Sequence, residues 1–118
     1  MSKHLDIGKK GEAIAQEYLI NLGYSILEVN WRSKHLETDI IAKKEDVIHF
    51  IEVKTRDNPL VDPLVSVTLK KQKNLLQAAN TYIQEREIDK EIQFDIITVS
   101  INNNNVNINH VKDAFYPF

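Results

Sequence analysis

The chain has 118 residues, 42% of them hydrophobic, with 3 Gly, 3 Pro and no Cys. That is enough for one domain around one core, and it excludes disordered and fibrous classes, a disulfide frame and a thiolate metal site. A net charge of −2 argues mildly against a nucleic-acid partner, and the absence of a long apolar run points to a soluble cytosolic protein with no membrane partner.

In chain order, Ile7 to Leu22 reads as a helix, with Asp6 as N-cap and Gly23 as the C′ stop. Ile7, Gly11, Ile14, Ala15, Tyr18, Leu19 and Leu22 form one stripe at helical spacing, and Gly8 and Gly11 would let it approach a neighbour closely. Tyr24 to Trp31 reads as a strand. Two further strands, Glu37–Lys44 and Val47–Thr55, form a hairpin around Glu45-Asp46. They are apolar on both faces, which implies a sheet covered on both sides and an α/β fold.

Asp57 to Pro63 carries two prolines and reads as a loop. Ser66 or Thr68 caps a second helix to about Arg86, with Leu69, Gln72, Leu76, Ala79 and Ile83 along one side. Phe94 to Ile101 is a strand, Asn102 to Asn105 a turn, and Val106 to Val111 an edge strand. The order is αβββαββ.

The hairpin carries the chemistry. A loop centred on Glu45-Asp46 sets Asp39 opposite Glu52 and Glu37 opposite Lys54, with Ile41 and Phe50 on the same face; a three-residue loop would undo this. Opposed carboxylates destabilise a sheet unless a cation with oxygen ligands sits between them. Asp39, Glu52 and Lys54 therefore fit Mg²⁺-assisted phosphodiester hydrolysis, with the lysine orienting water or neutralising phosphoryl oxygens. Spacing alone gives equal weight to two surface acids and a Glu37–Lys54 ion pair.

Glu12 flanks the stripe of the first helix, from where it can reach the sheet edge as a third acid; a solvated glutamate fits the helical wheel better. Lys70, Lys71 and Lys73 open the second helix and offer phosphate contacts, or a solvated basic turn. Arg32, Lys34, Lys43 and Arg56 extend that basic surface. Trp31 reads as partial core before base stacking. His4, His35, His49 and His110 show no ligand spacing, so no zinc site is expected.

Taken together, Gly8–Leu19, Gly23–Arg32, Glu37-Thr38-Asp39, Phe50–Arg56, Ser66–Gln72, Phe94-Asp95-Ile96 and Val111–Phe115 resemble the bacterial YraN family, itself similar to archaeal Holliday-junction resolvases of the PD-(D/E)XK nuclease superfamily. The resemblance implies an αβββαβ restriction-endonuclease-like core, with a mixed sheet flanked by helices, and Mg²⁺-dependent (or Mn²⁺-dependent) DNA endonuclease activity, with branched DNA as one substrate class. Carried over by position, it implies Asp39, Glu52 and Glu12 as metal ligands, Lys54 as catalytic lysine and Lys71 as the basic residue of the second helix. Two positions depart from the pattern: Thr38 replaces the superfamily proline and Leu36 stands where the family often has Gly. Resolvases of this type are dimers, and Ala114–Phe118 is the candidate surface for a homodimer or a cover for the core. The alternative is a non-catalytic nucleic-acid-binding module in which Lys71, Lys73, Arg32 and Arg56 matter most.

Overall fold

The elements follow the expected order: α1 (Lys3–Asn21), β1 (Ser25–Ser33), β2 (Leu36–Lys44), β3 (Val47–Arg56), α2 (Leu69–Glu85), β4 (Glu91–Asn102) and β5 (Asn105–Phe115). A computed structural model describes residues 3–56 and 67–115, with side chains from residue 7 onward. The expected Asp57–Pro63 loop, the Ser66 cap and Tyr116–Phe118 lie outside the described residues.

α1 begins at Lys3, so Asp6 lies in its first turn and is not its cap. The helix stops at Gly23, whose φ of +95° needs a residue without Cβ. Gly23 N–H donates to Ile20 O at 3.0 Å and Tyr24 N–H to Leu19 O at 3.0 Å, a Schellman closure that brings Tyr24 onto Leu19.

The five strands form one sheet in the order β1-β2-β3-β4-β5. All neighbours are antiparallel except β3 and β4, whose parallel register includes Glu52↔Ile96 and Lys54↔Thr98. A parallel pair needs a crossover, and α2 lies in the connection. β1 and β5 are the sheet edges.

Strand alternation sorts the core into two layers. Ile40, Ala42, Ile51, Val53, Ile97 and Val99 pack under Ala15 and Leu19 of α1. Ile41, Phe50, Phe94 and Ile96 pack under Leu75, Ala79 and Tyr82 of α2. Each layer excludes water from one face of the sheet, as expected for strands apolar on both sides.

The helix stripes are narrower or rotated relative to expectation. Of the expected stripe, Ile7 near the start of α1 and Leu22 just past its end are exposed. Gly11 is buried, and a Cβ there would collide with Thr55 Oγ1, whereas Gly8 faces open space, so only Gly11 permits the close approach. On α2, Leu75, Ala78, Ala79 and Tyr82 are buried while Leu69 is exposed. The helix is rolled about one residue from the expected face, because the aromatic Tyr82 packs edge-on against both Trp31 and Phe50. Thr68 is the N-cap, its hydroxyl accepting from Lys71 N–H at 3.2 Å.

Candidate active site

The β2–β3 hairpin closes around Glu45-Asp46 with Glu45 at φ +56°, and its ladder runs from Lys44↔Val47 to Ile40↔Ile51. That is the register in which Asp39 falls across from Glu52. Where the ladder stops, Asp39 Oδ2 accepts the Val53 N–H at 2.8 Å. The carboxylate takes the place of a backbone partner and fixes the acid over the opening between the strands.

Alternation puts Asp39, Glu52 and Lys54 on the α2 face, at the end of the sheet where the α2 N-terminus lies. Glu52 is 4% exposed. Lys71, from the first turn of α2, reaches across so that its Nζ is 2.9 Å from Glu52 Oε2. The approach makes an ion pair without a directed hydrogen bond, and Glu52 Oε2 remains a buried oxygen with no hydrogen-bond partner. Thr98, beside Lys54 in the parallel ladder, buries a second unbonded oxygen.

The electrostatics follow from this crowding. The Asp39 carboxyl is raised from 3.8 to about 8, first by burial and next by Glu52 beside it; the Val53 N–H pulls the other way and Glu12 adds a smaller push. Without a cation, one proton is retained between two carboxylates at neutral pH. Lys54 is lowered, first by burial and then by the neighbouring Lys71, against the pull of Glu52. For Lys71 burial is the largest influence and lowers it, but Glu52 and Lys54 together outweigh it and its net shift is upward. Of two adjacent amines, Lys71 thus holds its proton more firmly and Lys54 less.

A buried Glu52 carboxylate beside a half-buried Asp39 that keeps its proton to about pH 8 is a hard-oxygen donor set that suits a divalent cation such as Mg²⁺. Among the described residues no group of three His, Cys, Asp or Glu side chains is gathered into a ligand cluster. Glu12 stands near enough for its charge to act on Asp39, but it is not part of such a group.

The remaining basic residues divide. Arg32 pairs directly across β1 and β2 with Glu37 at 3.1 Å, and this replaces the Glu37–Lys54 pair that the hairpin register suggested. Arg56 ends β3, half-buried. Lys73 is exposed and sits about 200° around α2 from Lys71, so it faces away from the acids. Trp31, which lies within β1 and does not end it, is partly buried against the α2-side core.

Beside the acids lies a cleft of about 280 Å³ between the β1–β2 turn and the first two turns of α2. Glu52 and Leu75 line its inner side, with His35, Thr68, Lys70 and Asn74 around it. His35 and Asn74 were not singled out by sequence reasoning. Asn74 could have been, since it follows Lys71 by three on a helix.

A second polar cluster, on the α1 face, escaped sequence reading altogether. Asp95 is fully buried and accepts from His49 Nδ1 at 3.3 Å, His110 Nε2 at 2.8 Å, Gln93 Nε2 at 3.0 Å and Asp113 N–H at 3.0 Å. Tyr18 OH lies 3.0 Å from His110 Nδ1. Burial, then Asp95, raise the Tyr18 phenol, so it keeps its proton; the Asp95 carboxylate can only accept, which assigns a proton to His110 Nε2, and in that tautomer Nδ1 accepts from the Tyr18 hydroxyl. The four bonds hold the Asp95 carboxyl well below the usual carboxylate range despite burial. This cluster ties α1, β3, β4 and β5 together and does not reach the α2-side acids.

The profile described as "Uncharacterised protein family UPF0102" matches residues 11–99. The chain is 46% identical to a UPF0102 protein of Bacteroides thetaiotaomicron, over 99% of this chain and 98% of that one. A UPF0102 protein of Christiangramia forsetii is 43% identical over the whole of both chains, and one of Parabacteroides distasonis is 40% identical over 98% of this chain and 97% of that one.

Proposed function

The chain belongs to the uncharacterised protein family UPF0102, and from the site it carries we propose a divalent-metal-dependent DNA endonuclease, resolvase-like in its choice of branched or otherwise distorted DNA. The observation that carries the reading is the Asp39–Glu52 pair: two acids converging on one sheet face, one raised to about 8, with Lys71 ion-paired to Glu52 at 2.9 Å and Lys54 on the same face.

In this reading Asp39 and Glu52 hold Mg²⁺, with Glu12 close enough to add negative charge. When bound, the ion polarises the phosphate and makes a water acidic enough to attack it. Lys54, whose ammonium is the more easily deprotonated of the two, stands on the same face to take or orient a proton of the attacking water. Lys71 holds its charge and offers it to a phosphoryl oxygen. The Val53 N–H keeps Asp39 aimed inward throughout. The chain's net charge of −2 includes both of these acids, so the surface that meets DNA is more positive once a cation offsets them.

A labelled four-way junction and its parent duplex, incubated with Mg²⁺, test the proposal. Wild type should nick; Asp39→Asn and Glu52→Gln should not, while still retaining DNA at low salt. Undiminished nicking by Asp39→Asn would remove the reading. The second reading, a nucleic-acid-binding module without catalysis, is favoured by the 2.9 Å Lys71–Glu52 ion pair, which by itself offsets the charge of Glu52. It predicts salt-dependent DNA retention that Lys71→Ala weakens, and no metal-stimulated cutting on any substrate.

A further inference from the structure

The cleft beside the acid pair shares Glu52 with it, and its other lining residues are given no part in holding the metal. Resting on the nuclease reading, we propose that this cleft is a subsite for one unpaired nucleotide next to the scissile phosphate, so that the enzyme selects strands with a nucleotide out of the stack.

Size comes first. About 280 Å³ falls just below the roughly 300–1,000 Å³ spanned by small-molecule sites, room for one nucleotide and not for a base pair. Its lining has the corresponding chemistry. Lys70 and Lys71 sit at the α2 N-terminus with the Thr68 hydroxyl, all on the cleft wall, where a phosphate would be drawn. Among the described residues Lys70 has no ion-pair partner, while the two acids of the lining are already offset, Glu37 by Arg32 at 3.1 Å and Glu52 by Lys71 at 2.9 Å. The cleft is therefore cationic in effect although it contains two carboxylates. Leu75 gives the inner wall an apolar surface for a ring, His35 can stack on it from the rim, and the Asn74 amide offers both a donor and an acceptor to a base edge.

Position completes the argument. A phosphate on Lys71 is next to Glu52, so a nucleotide seated here delivers its own phosphodiester to the Asp39–Glu52 pair. A base within a duplex can enter only by leaving its stack, at a cost of about a few kcal/mol, and an unpaired nucleotide avoids most of that cost.

The test has two arms. In EDTA, dAMP is titrated into the protein and followed by amide shifts and calorimetry. Saturable binding is expected, centred on residues 68–75, and weakened about tenfold or more by Lys70→Ala and by Asn74→Leu. Lys112→Ala, on the exposed side of β5, should leave it unchanged. His35→Ala, in an exposed turn, replaces Asn74→Leu if that variant fails to fold. With Mg²⁺, a duplex carrying a single-stranded flap should be cut about tenfold or more faster than the same duplex fully paired, and Asn74→Leu should erase that preference. No saturable dAMP binding, or equal rates on the two DNAs, overturns the subsite even if both are cut. Saturable binding that depends on Lys70, with neither DNA cut, supports the subsite and removes the nuclease reading instead.

Discussion

Asp39→Asn should make the metal-free protein more stable at neutral and alkaline pH while destroying its site. The Asp39 carboxyl moves from an ordinary 3.8 to about 8 on folding, through burial and then the nearness of Glu52. Because the folded-state value is raised, stability is fully present below pH 4 and declines as pH rises toward 8, since the unfolded chain releases the proton first. At about 1.36 kcal/mol per pKa unit, the loss by pH 7 is up to about 4 kcal/mol. Asparagine resembles the protonated acid: its carbonyl can keep the 2.8 Å acceptor role to Val53 N–H and its amide can face Glu52. Urea unfolding in EDTA at pH 4, 7 and 9 should therefore give near-equal stability at pH 4, and a gap in favour of the variant that widens to a plateau above pH 8. A gap that does not change with pH, or a variant less stable at every pH, would refute the electrostatic account of the site.

Asp95→Asn should destabilise the fold by about 2–3 kcal/mol at pH 7, since one amide cannot accept all four bonds. The folded Asp95 value is depressed, so its stabilisation is present above the ordinary 3.8 and is lost as pH falls below it; the wild-type advantage in unfolding titrations should shrink there. Gly11→Ala should cost about 1–3 kcal/mol by driving a Cβ into Thr55, and Thr55→Ala in the same chain should restore part of it, read by thermal unfolding. Lys54→Ala should slow cleavage by about 10²-fold or more with DNA retention preserved, measured by single-turnover nicking.

The sheet was legible because alternation and turn chemistry agree. Ile40, Ile51 and Val53 against Ile41 and Phe50 declare two buried faces, and Glu45-Asp46 fixes the register that brings Asp39 opposite Glu52. The helix faces were less legible. Leu69 and Leu76 suggest one α2 stripe and Leu75 and Tyr82 another, and only the aromatic contacts with Trp31 and Phe50 decide between them. The Asp95 cluster was hidden because His49, Asp95 and His110 lie far apart in sequence and meet only through the β3-β4-β5 pairing. The Arg32–Glu37 pair, though close in sequence, was hidden because it depends on the β1–β2 register, which a hairpin reading of β2 and β3 does not constrain.

Calorimetric titration of Mn²⁺ into wild type, Asp39→Asn and Glu52→Gln at pH 7, in buffers of different ionisation enthalpy, asks most directly whether the two carboxylates form a metal site. An Asp39 value of about 8 predicts saturable binding by wild type with release of close to one proton per ion at pH 7, and no saturation for either substitution. Wild-type and variant titrations that superimpose, or binding without proton release, would contradict it.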